Sequence, residues 1–151
     1  MNKEQAPHLV YLHGFLSSPT SKKALETAAW MQALGLETHF HCPELPPTPL
    51  AIAQQLHELF GKLAGKPVCV VGSSLGGFYA TWVAEEFACR AVLINPAVQP
   101  YALVADYVGP QRNYQTGEIQ MVEAGFADDL RQLERKPAQP ENYWVLLQTG
   151  D

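Results

Sequence analysis

Residues 66–82, "KPVCVVGSSLGGFYATW", constrain the fold more than any other stretch of the chain. Val68-Cys69-Val70-Val71 is apolar at every position, as expected of a central parallel strand buried on both faces by flanking layers of helix. The run ends in Gly72-Ser73-Ser74-Leu75-Gly76 and passes directly into a helical pattern. A Gly-x-Ser-x-Gly pentapeptide alone is weak, but the strand–turn–helix context gives it meaning. A serine on so sharp a turn is held in a strained backbone conformation. Glycines two residues to either side remove the Cβ atoms that would collide there.

The rest of the chain fits around that unit. The spacing predicts strands at 8–14 ("HLVYLHG"), around "ETHFHCP", at "KPVCVVGSS", at "RAVLINPA" and at "ENYWVLLQTG". Helices are predicted between them: one begins at Ser or Thr near 20–21 and stops at Gly35, one follows the proline-rich "PPTP", and one is "LGGFYATWVAEEFA". The expected architecture is α/β: a three-layer sandwich on a mainly parallel five-stranded sheet of order 2-1-3-4-5, forming a single domain over residues 1–151. Residues 97–140 carry no clean strand signal and occupy a place where a cap or lid over the serine could sit. Packing of their aromatics, Tyr101, Tyr107 and Phe126, against the sheet is the equally open alternative.

Composition excludes several classes. A formal charge of −5 and 151 residues with 17% charged side chains do not supply the clustered basic surface of a nucleic-acid binder. No apolar run reaches the length of a membrane span. The N-terminus lacks a signal-peptide pattern. Cys42, Cys69 and Cys89 are scattered and without CxxC spacing, which points to reduced thiols and a cytoplasmic setting.

Ser74 reads as a nucleophile, its hydroxyl standing above the sheet at the positive end of the following helix. The Leu75 N–H can donate to a developing oxyanion. A phosphate loop is the competing use of such a turn, but neither Gly-Lys-Ser/Thr nor GxGxxG is present. Ser73 points away by alternation and reads as structural. In "YLHGF" the Phe15 N–H can face the same space as that of Leu75, giving two oxyanion donors. His13 reads as a brace for that turn. His39 and His41 share a face of a short strand but have no third ligand, so no metal site is expected. His57 reads as solvent-facing on an amphipathic helix. Asn95, after the fourth strand, cannot carry the charge that steadies an imidazolium, which leaves Asp151 as the acid by elimination. Lys22 and Lys23 read as a solvated helix face.

"YLHGFLSSPTSKK", "LPPTP", "VGSSLGGFYATW", "INPAV" and "LLQTGD" together resemble the YqiA-type esterases, a bacterial branch of the α/β-hydrolase superfamily. The resemblance runs from about residue 8 to the last residue. It implies an α/β-hydrolase fold that hydrolyses small acyl esters and acyl-coenzyme A thioesters without a cofactor. Ser74 is then the nucleophile, Phe15 and Leu75 the oxyanion donors and Asp151 the acid. Members of that family continue past the acid into a helix, a strand and a loop whose histidine is the general base, a unit of roughly 30 residues. All five histidines here precede Ser74, so the expectation is a C-terminally truncated chain of impaired activity. Its last strand would be bare and open to homodimerisation. Two other readings stay open: a non-catalytic remnant binding an acyl ligand or partner, and a flavodoxin-like binding domain of the same strand order.

Overall fold

The computed structural model describes residues 2–149. The central sheet contains β1 (His8–Leu12), β2 (Phe40–His41), β3 (Val68–Ser73), β4 (Arg90–Ile94) and β7 (Tyr143–Leu146). These strands are ordered β2-β1-β3-β4-β7 and every neighbouring pair is parallel, as the alternating sequence pattern predicts. The connections supply α1 (Lys22–Ala33), α2 (Pro49–Lys62) and α3 (Leu75–Phe87). Their punctuation is local. Ser21 stands at the N-cap of α1, Gly35 takes φ 68° just past its end, and Thr48 caps α2 through a 3.3 Å bond from the Ala51 N–H.

Strand alternation sorts the two faces. Val10, Leu12 and Val70 enter the main core with Ile52, Leu56 and Phe60 of α2 and Tyr79 and Val83 of α3. Tyr11 and Val71 point to the other face and meet Ala24 of α1. Because paired residues in parallel strands share a face, the register lines up Tyr11, Val71, Val92 and Trp144 in one row. Along that row exposure rises from 1% at Tyr11 and 7% at Val71 to 73% at Trp144.

Segment 97–140 is more regular than its sequence suggests. It contains α4 (Tyr101–Ala105), an antiparallel hairpin of β5 (Gly109–Arg112) and β6 (Ile119–Val122), and α5 (Phe126–Gln132). Val104, Val122, Phe126 and Leu130 are buried in the main core, so the segment is anchored by apolar packing. The hairpin was illegible because "GPQR" is neither apolar nor alternating, and Pro110 lies inside it. Among the described residues, no helix is long and apolar enough to cross a membrane.

Candidate active site

The serine turn is fixed from several sides at once. Ser74 has φ 56° and ψ −121°, a conformation that costs a non-glycine residue about 1–3 kcal/mol. Three main-chain bonds hold it: Ser74 N–H donates to Ile94 C=O at 3.0 Å, and its own C=O accepts from Gly77 and Ala97, each at 2.9 Å. The glycines provide clearance. A Cβ on Gly72 would stand 2.1 Å from the Gly76 carbonyl oxygen, and one on Gly76 would stand 2.1 Å from that of Leu12. A Cβ on Gly77 would meet Pro96 at 2.7 Å. So held, Ser74 is solvent-exposed while Leu75 behind it is buried.

Leu75 is the first residue of α3, where the N–H has no intrahelical acceptor. The loop after β1 lies against this turn, since a Cβ on Gly14 would contact Ser74 Cβ at 3.5 Å. Among the described residues, neither the Phe15 nor the Leu75 N–H donates to a main-chain acceptor outside regular elements. The loop itself is braced. His13 is 5% exposed and uses both ring nitrogens: Leu45 N–H donates to Nε2 at 3.0 Å, which makes Nδ1 the donor to Gly14 C=O at 2.9 Å. Burial holds its pKa below the usual histidine value, in keeping with a neutral ring. A second brace comes from the hairpin. Tyr114 N–H donates to Leu16 C=O at 2.8 Å, and Asn113 Nδ2 donates to Ser17 C=O at 2.8 Å. Leu16 has φ 54°, so the hairpin turn clasps the strained residue of the loop. No sequence signal announces this contact between residues almost a hundred positions apart.

Two clefts share Gly14, Phe15 and Ser17. The larger, about 550 Å³, runs under the hairpin and is walled by Leu45, Ile52, Leu75, Tyr79 and Phe126 among others. The smaller, about 320 Å³, contains Ser73 and Ser74 with Tyr11, Lys22 and Lys23. Ser73 therefore shares the cleft of Ser74, and the lysines read from sequence as a solvated face line it too. The Lys22 side chain is nevertheless 88% exposed and lies 3.9 Å from Glu26.

The remaining histidines lie elsewhere. His39 closes a 3-10 turn at Glu37–His39 and so is not on β2. It stacks on His8 at 4.3 Å, and His8 Nδ1 is 2.9 Å from His41 Nε2. Burial, then neighbouring positive charge, lowers the pKa of His8 and His41. His57 packs edge-on to Trp82 and Phe87 near Glu86. None of these four lines either cleft. Asn95 ties β4 to β7: its N–H donates to Leu146 C=O at 2.9 Å, and its Oδ1 accepts from Gln148 N–H at 2.7 Å. Asp151, the expected acid, lies outside the described residues. Burial raises the Cys42 thiol to about 11 and the Cys89 thiol to about 12, so neither is a ready thiolate. No group of three or more His, Cys, Asp or Glu among the described residues could hold a metal ion.

A parallel sheet of this order, with an exposed serine at positive φ between β3 and α3, is an α/β-hydrolase-like arrangement. Solved structures agree on the fold. One described as "Putative hydrolase from Agrobacterium vitis S4" superposes with a TM-score of 0.73 at 16% identity, covering 98% of this chain and 81% of that one. Another, from work on "LipS and LipT, two metagenome-derived lipolytic enzymes", gives 0.54 at 15% identity, with 96% and 84% covered. The family model described as "Uncharacterised protein family (UPF0227)" matches residues 8–151, and the chain belongs to that family.

Proposed function

We propose that this protein is a serine hydrolase that cleaves small acyl esters and, by the same chemistry, acyl thioesters. The observation that carries this reading is Ser74, exposed at φ 56° beside the cleft-lining Phe15 and Leu75. In the proposed reaction the Ser74 oxygen attacks the acyl carbonyl carbon as its proton passes to solvent water, which returns a proton to the leaving group. The Phe15 and Leu75 N–H groups stabilise the oxyanion, and collapse of the tetrahedral intermediate expels the alcohol or thiol to leave an acyl-Ser74 ester. Water then releases the acid. Asp151 is the proposed acid partner of the general base.

None of the five histidines is placed to be that base. His13 has both nitrogens engaged, and the other four lie outside the clefts. The 1–151 chain should therefore show only the residual catalysis left by an oxyanion hole and a binding site, roughly 10³–10⁴-fold over water. Hydrolysis of p-nitrophenyl butyrate by this chain and by Ser74→Ala tests the reading. A slow, Ser74-dependent rate is expected; an equal rate from Ser74→Ala contradicts it. Among the described residues His13 has both ring nitrogens engaged and no other histidine lines either cleft, which also favours a second reading, in which the same cavity binds an acyl ligand without turning it over. Binding of butyramide with no Ser74-dependent turnover would select that reading.

We further propose that β7 pairs with its counterpart in a second copy. Among the described residues it is one of the sheet's two edge strands, and Trp144, Val145, Leu146 and Leu147 are 73%, 52%, 50% and 74% exposed without a charge among them. Sedimentation equilibrium at micromolar concentration should show dimers; a monomer contradicts this.

A further inference from the structure

The larger cavity has a charge pattern that the proposed reaction does not require. Its wall is apolar at Leu45, Ile52, Leu75 and Phe126, yet Glu44, Glu118 and Glu123 also line it and no lysine or arginine does. The three carboxylates come from three separate segments: the β2–α2 connection, the hairpin turn, and the junction of β6 with α5. Among the described residues none of them takes part in a salt bridge. Lys22 and Lys23 lie in the other cleft, with Ser74. One side of the serine turn is thus negative and the other positive.

The geometry points to the larger cavity as the acyl subsite, selective for uncharged acyl groups and closed to those ending in a carboxylate. This rests on the serine hydrolase reading, because the assignment of sides comes from the oxyanion donors. Of the two proposed donors, Phe15 lines both clefts and Leu75 only the larger, so an acyl chain that runs past Leu75 from a carbonyl oxygen held there enters the larger cavity. The departing alcohol or thiol is left with the cleft that contains Ser74. An acyl chain gains from burial against the apolar wall. A terminal carboxylate would find no cationic partner there and would face three like charges, all of them on exposed residues of the cavity's wall, which is discrimination by repulsion. The volume, about 550 Å³, is that of an ordinary small-molecule site.

Binding separates this inference from the question of turnover. Hexanamide and the monoamide of adipic acid differ at the far end of the chain, one neutral and one a carboxylate. Each would be titrated into the full 1–151 chain, with amide NMR shifts followed at Ile52, Leu75 and Phe126. Hexanamide should bind at least about tenfold more tightly than the carboxylate, as expected for like charges brought together. Glu44→Gln/Glu118→Gln/Glu123→Gln should bring the two within about threefold by strengthening binding of the carboxylate. Equal binding by the unmodified chain, an undiminished gap in the triple variant, or no shift at the cavity with either ligand would each overturn the inference. Since no bond is broken, a chain that binds as described but never acylates Ser74 defeats only the serine hydrolase reading.

Discussion

β3 and β7 belong to the same sheet and differ in almost everything else. β3 lies in its centre, with Val70 and Val71 at 0% and 7% exposure, and delivers Ser74 into a turn fixed by three main-chain bonds. β7 lies at the edge, with Trp144, Val145 and Leu146 all at least half exposed. Its firm attachments are its pairing with β4, the Asn95 bonds, and the Tyr143 hydroxyl donating to Glu85. The contrast shows where the chemistry is strongly determined. The serine turn and the Phe15 loop are over-constrained by packing and main-chain bonds, whereas β7 is partly buried only at Tyr143, which packs against the core.

Substitution at the turn sharpens this contrast most. Gly76→Ala should cost more than about 3 kcal/mol or prevent folding, because its Cβ meets the Leu12 carbonyl of a central strand and not a flexible side chain. Urea denaturation would measure it, and a loss under about 1 kcal/mol would mean the elbow is far looser than described. Next comes the brace. His13→Ala leaves the Leu45 N–H and the Gly14 carbonyl without their partner, at a cost of about 1–3 kcal/mol in the same assay. Ser74→Gly should act in the opposite direction, raising stability by about 1–2 kcal/mol through release of the strained φ. The same variant should lose all butyryl transfer.

At β7 the effects on stability should be small. Trp144→Lys replaces a 73% exposed side chain and should alter stability by no more than about 0.5 kcal/mol. Its main effect should be weaker self-association by sedimentation, since a charge at an edge opposes strand pairing. The histidines give a shallow pH dependence away from both regions. His8, His41 and His13 all have folded pKa values below the ordinary 6.5, so the unfolded chain binds more protons just below that pH. Their contribution is complete above about pH 6.5 and is lost as pH falls toward the folded values. His39 and Lys66 face His8 and His41 and add to the effect, whereas Glu44 opposes it at His13. A stability–pH profile in His8→Gln/His41→Gln should be flatter below pH 6.5 than that of the unmodified chain.

Legibility in the sequence followed the same division. The strands of the central sheet and the serine turn are readable because each rests on local pattern: an apolar run, glycines at fixed offsets, a helix starting at once. The β5–β6 hairpin was not, since "GPQR" has no strand character and its function is a distant bond from Asn113 to Ser17. The His8–His39–His41 group was half readable. Alternation paired His39 with His41, but only the parallel register brings His8 beside them. Lys22 and Lys23 look in sequence like a solvated face because helix periodicity carries no information about the cleft at the helix's start.

Ser74 as the proposed nucleophile is open to a direct test. With no imidazole available among the described residues, attack by water on the acyl-serine is slowed more than acylation by an activated ester, whose nitrophenolate leaves without a proton, so a butyryl group should accumulate on the protein. After incubation with p-nitrophenyl butyrate, intact mass followed by peptide mapping should find one butyryl adduct, on Ser74, that is absent from Ser74→Ala. A folded chain that carries no adduct, or one modified at Ser73, Ser17 or Ser18 instead, would contradict the account.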